Sequence, residues 1–159
     1  MRVAIGSDDA GFALKEILRE HLQRGDIDLH DFGVAAAVPS DVDYPDVAHA
    51  VAQAVAAGQE DLAILVCGTG IGMAITANKV PGIRAAQAHD VYSAERARKS
   101  NDAQVLTLGA RVIGSELAKM IADAFLAADF AGGGSTRKVE KMKSIDAAYR
   151  ADRTAPSRP

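Results

Sequence analysis

Residues 62–73 read Leu-Ala-Ile-Leu-Val-Cys-Gly-Thr-Gly-Ile-Gly-Met, and their pattern is the clearest indication of the fold. Its first six residues form a continuous apolar run, which is typical of a strand buried on both faces of a parallel sheet. A glycine-rich turn over residues 68–72 follows, and a helix is predicted over residues 73–78. A buried strand, a tight turn and a helix together make one unit of an alternating α/β fold.

The same alternation continues on both sides of this stretch. Five strands that alternate with helices predict a doubly wound, Rossmann-like parallel sheet with helices on both faces. The other strands are predicted over residues 3–7, 27–32, 84–88 and 105–108, and the other helices over residues 12–23, 44–57, 91–99 and 114–127.

The C-terminal part adds an extra helix that no strand follows. Glycines at residues 132–134 break the chain, and a charged amphipathic helix is predicted over residues 137–150. Its apolar positions pack either on another subunit or, more simply, on their own domain. We therefore predict one domain over residues 1–150 and a disordered tail over residues 151–159.

Composition excludes several classes of protein. A chain of 159 residues with 48% hydrophobic and 25% charged residues suits one globular domain. The net charge of −3 argues against a nucleic-acid partner, and the single cysteine excludes a disulfide framework or a multi-cysteine zinc site. The sequence has no signal-peptide pattern and no apolar run long enough to span a membrane, so we expect a cytoplasmic protein without a membrane partner.

Ligands of such folds bind where the strands end, and Cys67 stands at the end of the buried strand. The glycines after it allow backbone N–H groups to converge on one point, which stabilises a phosphate or a developing oxyanion. The same N–H groups would favour the thiolate form of Cys67, which is a usable base or nucleophile. The alternative is a buried core cysteine beside an ordinary turn. The glycine spacing matches neither a nucleoside-triphosphate loop nor a dinucleotide fingerprint.

Other polar residues follow strand ends. Asp8 and Asp9 come after the first strand; function is favoured for Asp8, whereas helix capping and function are equally open for Asp9. His89 also stands at a strand end, without an evident partner. Basic residues near a strand end or the glycine break are candidate phosphate ligands, although each alone is typical of a solvated surface charge: Arg111, Arg137 and Lys138.

Several motifs resemble the ribose-5-phosphate isomerase B family, which also includes the galactose-6-phosphate isomerase subunits. The resemblance runs over about residues 2–149. The motifs are Gly-Ser-Asp-Asp-Ala-Gly-Phe at residues 6–12, Asp-Tyr-Pro at 43–45, Cys-Gly-Thr-Gly-Ile-Gly at 67–72, Ala-Asn-Lys-Val-Pro-Gly-Ile-Arg at 77–84, Ser-Asn-Asp at 100–102 and Gly-Ala-Arg-Val-Ile-Gly at 109–114.

The resemblance implies an aldose–ketose isomerase of phosphorylated sugars that works through an enediolate, without a metal or other cofactor. Cys67 matches the family's catalytic base, Thr69 would orient it, and Asp8 would bind the substrate hydroxyls. Family members are dimers or larger, so a homodimer or a dimer of dimers with a shared active site is expected. The remaining substrate-binding residues implied in this way are Asp9, Tyr44, Gly68, Gly70, Ile71, Gly72, Ser100, Asn101, Arg111, Arg137 and Lys138.

Three positions depart from the family pattern. Asp9 replaces a histidine that contacts phosphate, Ser100 replaces the histidine that opens the sugar ring, and Gly134 and Lys138 stand where the family has arginines. Serine cannot move a proton at neutral pH as imidazole does, so these changes favour a substrate that needs no ring opening.

A tetrose 4-phosphate meets that condition, because its terminal oxygen is esterified and it cannot close a five-membered ring. The pattern therefore resembles the branch that interconverts D-erythrulose 4-phosphate and D-erythrose 4-phosphate. Ribose 5-phosphate with ribulose 5-phosphate is the next candidate, and hexose 6-phosphates come third. A non-catalytic subunit and a flavodoxin-type phosphate-binding module also stay open.

Overall fold

The computed structural model describes residues 1–23, 25–36 and 41–154, with side chains described up to residue 149. Its strands are β1 (Arg2–Ser7), β2 (Asp28–Asp31), β3 (Leu62–Cys67), β4 (Ala85–Gln87) and β5 (Val105–Gly109). Its helices are α1 (Phe12–Leu22), α2 (Tyr44–Ala56), α3 (Ile71–Ala77), α4 (Val91–Asn101), α5 (Ser115–Leu126) and α6 (Thr136–Thr154), with a short 3₁₀ turn at Gly133–Ser135.

The strands form one parallel sheet in the order β2-β1-β3-β5-β4, which confirms the predicted fold. The apolar run over residues 62–67 is β3, the central strand of the sheet, and all six of its residues are buried. In the register of β3 and β5, Cys67 pairs with Gly109. All five strands therefore end at one edge of the sheet, called here the carboxyl edge, and begin at the opposite amino edge.

Helices cover both faces of the sheet. On one face α1, α4 and α5 share one buried cluster with the sheet, in which Leu18, Ile121 and Phe125 join Ile64 of β3. On the other face α2 and α3 supply a second buried cluster that includes Met73. Burial of apolar area on both faces at about 25 cal/mol per Å² is the main force that holds the layers together.

Two predicted helix starts are confirmed by their capping bonds. Asp43 and Asp46 form a capping box at the start of α2, in which each carboxylate accepts from the other residue's backbone N–H. Asp90 accepts from the N–H of Ser93 at the start of α4. Both caps satisfy N–H groups that a helix cannot pair internally.

All helix boundaries lie within two residues of the prediction except the C-terminal end of α6. Helix α3 begins at Ile71 rather than at residue 73, because Gly70 takes φ +78° and turns the chain into the helix earlier. The predicted disordered tail is wrong for residues 151–154, which continue α6. No glycine or proline interrupts the sequence from residue 136 to 155, so the helix continues beyond the predicted end. Residues 155–159 lie outside the described part of the chain.

Helix α6 docks on its own domain. Val139 is buried, and the N–H of Gly82 donates to a carboxylate oxygen of Asp146 over 2.9 Å. The turn that contains Gly82 precedes β4, so this contact lies at the amino edge. Ile145 keeps 58% of its surface exposed, so α6 still presents apolar area to its surroundings.

Candidate active site

Three strands bring the first group of predicted site residues together at the carboxyl edge. Asp8 follows β1, the turn over residues 67–72 follows the central strand, and Arg111 follows β5. We call residues 67–72 the Cys67 turn. Backbone bonds join it to β5, since the N–H of Ala110 donates to the carbonyl of Cys67 over 2.8 Å. The sequence prediction that these segments meet is confirmed.

The sulfur of Cys67 has a defined polar partner. The residue is only 4% exposed, and its Sγ accepts a hydrogen bond from the N–H of Gly70 over 3.1 Å. A Cβ at Gly70 would lie 2.9 Å from the backbone of Leu108, so only glycine fits there. This N–H points at the sulfur, whereas a core cysteine in purely apolar surroundings has no such donor.

Arg111 supplies a fixed positive charge beside this turn. Its N–H donates to the carbonyl of Gly68 over 3.0 Å. A Cβ placed on Gly68 would lie 3.6 Å from Cδ and Cζ of Arg111, so the guanidinium side chain lies directly over that glycine. The guanidinium places positive charge beside the turn, which favours the binding of an anion there.

Asp8 is a mostly buried carboxylate, 8% exposed, at the same edge. Burial raises the pKa of Asp8 above its usual range, although the N–H of Gly11, 2.9 Å from Oδ1, and the charge of Arg111 oppose the shift. The capping alternative for Asp9 is wrong. The N-cap of α1 is Gly11, and the exposed Asp9 carboxylate accepts from the N–H of Ala10, which precedes the helix.

Tyr44 and Thr69 complete the surroundings of the Cys67 turn. A Cβ on Gly72 would lie 2.4 Å from Cε2 of Tyr44, so the tyrosine ring packs directly on that glycine. The hydroxyl oxygen of Thr69 lies 3.4 Å from the N–H of Ile71, which opens α3. Ile71 itself is half exposed. The first group thus comprises both acids, the whole turn, Tyr44 and Arg111.

Ser100 and Asn101 belong to a second group at the amino edge. They lie in the last turn of α4, which starts at the carboxyl edge and extends about 16 Å at 1.5 Å per residue. Nε of Arg84, which directly precedes β4, donates to the carbonyl of Asn101 over 3.0 Å. Nη2 of Arg96 donates to the hydroxyl oxygen of Ser100.

Arg137 and Lys138 are joined to the second group through the backbone. Both are exposed in the first turn of α6. The segment that leads into this helix is tied to the end of α4, because the N–H of Ala131 donates to the carbonyl of Lys99 over 3.1 Å. The predicted site residues are therefore split within one chain between the two edges of the sheet.

Sequence reasoning missed two contacts made by residues at the carboxyl end of β4. Nε2 of Gln87 donates to the carbonyl of Thr69 over 2.6 Å. Nε2 of His89 accepts from the N–H of Gly109 over 3.0 Å, so in the neutral ring the proton resides on Nδ1. The rule that ligands bind at the carboxyl ends of strands points to this edge. The partners of Gln87 and His89 are backbone atoms, however, and such contacts leave no signal in the sequence.

The described residues contain no cluster suited to a metal ion and no helix suited to a membrane crossing. Within residues 1–23, 25–36 and 41–154, no three His, Cys, Asp or Glu side chains are grouped closely enough to hold a metal ion. None of the helices in the same ranges combines the length and apolar character that a membrane crossing needs.

Known proteins are similar to this chain in sequence and in fold. A family model described as Ribose/Galactose Isomerase matches residues 3–142. D-erythrulose-4-phosphate isomerase of Pectobacterium atrosepticum is 54% identical over 142 residues, which cover 89% of this chain and 93% of that protein. Ribose-5-P isomerase B of Listeria innocua is 53% identical over 146 residues, or 92% of this chain and 97% of that one.

Solved structures agree with these sequence matches. Ribose-5-phosphate isomerase B of Clostridium thermocellum superposes with a TM-score of 0.89 at 44% identity, covering 94% of this chain and 99% of that one. The enzyme of Mycoplasma genitalium, solved with bound ribulose-5-phosphate, has a TM-score of 0.86 at 37% identity, covering 92% of this chain and 96% of that one. Matches of this extent and identity show a common family, so the chain belongs to the ribose/galactose isomerases and is a sugar-phosphate isomerase of the ribose-5-phosphate isomerase B type.

Proposed function

We propose that this enzyme interconverts an aldose phosphate and a ketose phosphate through an enediolate, with Cys67 as the base. The thiolate removes the proton from the carbon beside the carbonyl, which gives a thiol and an enediolate. The thiol then returns the proton to the neighbouring carbon, so no oxidant or reductant is needed. The observation that carries the proposal is the hydrogen bond from Gly70 to Cys67 Sγ, since it favours the thiolate form.

Two charged groups at the carboxyl edge suit the intermediate. The Arg111 guanidinium beside Gly68 offers positive charge to the enediolate oxygens or to the phosphate. The Asp8 carboxyl, whose pKa is raised by burial, holds a proton more readily than an exposed aspartate does. This carboxyl group is therefore suited to transfer a proton between the two substrate oxygens, while Cys67 transfers a proton between the two carbons.

For the substrate pair we propose D-erythrulose 4-phosphate and D-erythrose 4-phosphate. Ser100 stands where the ribose-5-phosphate isomerase B family has a ring-opening histidine. Its hydroxyl contacts the guanidinium of Arg96. Neither a hydroxyl nor a guanidinium transfers protons readily near pH 7, so this pair suits a sugar that is already open. The Pectobacterium atrosepticum relative carries the name of this activity.

We further propose that each active site is built from two copies of the chain. Asp8, Cys67 and Arg111 come from the carboxyl edge of one copy. Asn101 and Lys138 come from the amino edge of the other, since α4 separates the two edges within one chain. A site with only the first group would lack the contacts that Asn101 and Lys138 are expected to make.

Ribose 5-phosphate with ribulose 5-phosphate is a second candidate pair. The Listeria innocua relative is named for ribose 5-phosphate, and the Mycoplasma genitalium structure holds ribulose-5-phosphate. Ring opening also proceeds without an enzyme, so Ser100 slows such a substrate without forbidding it.

A panel of tetrose, pentose and hexose phosphates separates these candidates. We expect kcat/KM for erythrulose 4-phosphate to exceed that for ribose 5-phosphate by about 10²-fold, the usual contribution of a positioned acid–base group. Ser100→His should raise activity on ribose 5-phosphate alone, and Ser144→His on the exposed part of α6 is the matched control. A wild-type preference for ribose 5-phosphate would assign the second pair.

A further inference from the structure

The peptide unit between Thr69 and Gly70 is held at both of its polar ends. Its carbonyl oxygen accepts from Nε2 of Gln87 over 2.6 Å, and its N–H donates to Cys67 Sγ over 3.1 Å. In a trans peptide the C=O and N–H bonds point in opposite directions. One orientation of this peptide therefore satisfies both hydrogen bonds, and the Gln87 amide and the Cys67 sulfur lie on opposite sides of it.

A rotation of this peptide would reverse the electrostatics at the sulfur. Gly70 takes φ +78°, and a glycine has access to backbone conformations that would let the neighbouring peptide turn over. After such a turn the carbonyl dipole of Thr69 would face Cys67, and the N–H would face away. A carbonyl oxygen beside a thiolate repels it, so the present orientation is the one that suits a thiolate base.

Gly109, the last residue of β5, also supports this peptide. A Cβ on Gly109 would lie 2.8 Å from both the carbonyl carbon and the oxygen of Thr69, so this peptide rests directly on the Gly109 backbone. His89 in turn accepts the N–H of Gly109 over 3.0 Å. Gln87 and His89 thus fix the peptide and the surface on which it lies.

We propose that Gln87 is a positioning residue of the reaction, acting on the Cys67 sulfur through the Thr69–Gly70 peptide. The inference rests on the proposed role of Cys67 as base. Gln87 contacts the carbonyl of Thr69, and its effect reaches the sulfur as an oriented N–H group. Removal of the amide donor weakens the preference for this orientation and so weakens thiolate stabilisation.

The test uses variants of Gln87 and one matched control. Gln87→Met keeps the length and loses the N–H donor, Gln87→Glu puts an acceptor there, and Gln87→Lys restores a donor. Gln104→Met is the control, because Gln104 donates to the carbonyl of Gly82 over 3.1 Å at the amino edge. Gln87 is exposed, so we expect the three variants to fold with melting temperatures within about 2 °C of wild type.

On the preferred substrate we expect Gln87→Met to lower kcat about tenfold, the value of one charge-assisted hydrogen bond at its lower limit. KM should change less than about twofold, since the peptide contacts the sulfur and not the phosphate. Gln87→Glu should lose at least as much, and Gln87→Lys should recover most of the activity. Wild-type kcat in Gln87→Met, or a loss in Gln87→Lys equal to that in Gln87→Met, would overturn the proposal.

A second measurement does not depend on turnover. Cys67 is the only cysteine, so the mass gained on alkylation by iodoacetamide reports on this residue alone. At a fixed pH, the rate constant of this alkylation should fall by roughly three- to tenfold in Gln87→Met, because the sulfur loses its oriented N–H donor and is less nucleophilic. An unchanged rate constant would contradict the inference. If Cys67→Ala were active, the proposed role of Cys67 as base would be refuted. The alkylation measurement on chains that keep Cys67 would still test the effect of Gln87 on the sulfur.

Discussion

Cys67 and Asn101 lie at opposite edges of the same sheet. Cys67 ends the central strand at the carboxyl edge, whereas Asn101 ends α4 at the amino edge, where Arg84 binds its carbonyl. A packed α/β domain cannot bring these edges together by a local movement, because α4 is anchored on β4 and α5. A reaction that needs both residues therefore draws them from two chains.

Mixed oligomers should recover activity that neither parent has. Cys67→Ala and Asn101→Ala chains are each expected to be nearly inactive, but a mixed dimer contains one site with both residues intact. After co-expression we expect up to about a quarter of the wild-type activity, the statistical share of intact sites in a two-fold dimer. Co-expression of Cys67→Ala with Cys67→Ser is the control. No recovery in mixed oligomers verified by mass would place each site within one chain.

Replacement of the proposed base should abolish turnover while the fold persists. We expect Cys67→Ala to lose at least about 10²-fold in kcat/KM, the usual cost of removing a positioned base. Cys67→Ser should be almost as poor, because a hydroxyl is far less acidic than a thiol. Circular dichroism checks that both variants fold. More than about a tenth of the wild-type rate in Cys67→Ala would place the base on another residue.

Asp8→Asn should make the protein more stable and less active. Because the folded-state pKa of Asp8 is raised, its contribution to stability is complete below the unfolded value of 3.8 and is lost as pH rises through the folded value. Ionisation of this buried group costs stability, whereas asparagine stays neutral and can keep the bond to Gly11. We expect melting to rise by roughly 2 °C and kcat to fall about 10²-fold.

The exposed Asp9 provides the control for that stability measurement. Asp9→Asn should leave the melting temperature within about 1 °C of wild type, since surface substitutions usually change little. A lower melting temperature in Asp8→Asn than in wild type would contradict the claim that ionisation of Asp8 destabilises the fold. Full activity in Asp8→Asn would show that the carboxylate takes no part in the reaction.

Lys138 should affect substrate binding more than chemistry. It is exposed at the start of α6, where its ammonium is available to a phosphate. Lys138→Met is expected to raise KM about tenfold and to leave kcat within about threefold, since a phosphate contact is equally strong in the ground state and the transition state. Lys143→Met, which removes an ion pair with Glu140 on the same helix, is the control. A KM equal to wild type would make Lys138 a plain surface charge.

His30 gives the fold a pH dependence away from the proposed site. The hydrogen bond and the charge of Glu60, 2.6 Å from Nδ1, raise the pKa of His30 above its usual value. The stabilisation is complete below the unfolded value of 6.5 and is lost as pH rises through the higher folded value. The melting difference between wild type and His30→Gln should thus shrink from about pH 5 to about pH 9. A melting difference that does not change with pH would show that the bond between His30 and Glu60 gives the fold no pH dependence.

Local sequence patterns are sufficient to predict the α/β fold and the carboxyl-edge half of the candidate site. The buried run that ends at Cys67, the glycines after it and the acids after β1 are local patterns, and strand ends in a parallel sheet meet by rule. The helix starts at Asp43 and Asp90 are also local, because a capping residue acts on N–H groups two or three positions away.

The residues that hold these groups in place become evident only when the layers are packed together. Gln87 reaches Thr69 and His89 reaches Gly109 through backbone atoms that are 18 and 20 positions away, so side-chain identity carries no record of either contact. Ser100 and Asn101 lie at the amino edge because α4 runs across the sheet from the carboxyl edge. The packed structure shows this placement. A sequence specifies local conformation through short-range sterics and capping, whereas the packing of the layers determines which distant groups meet.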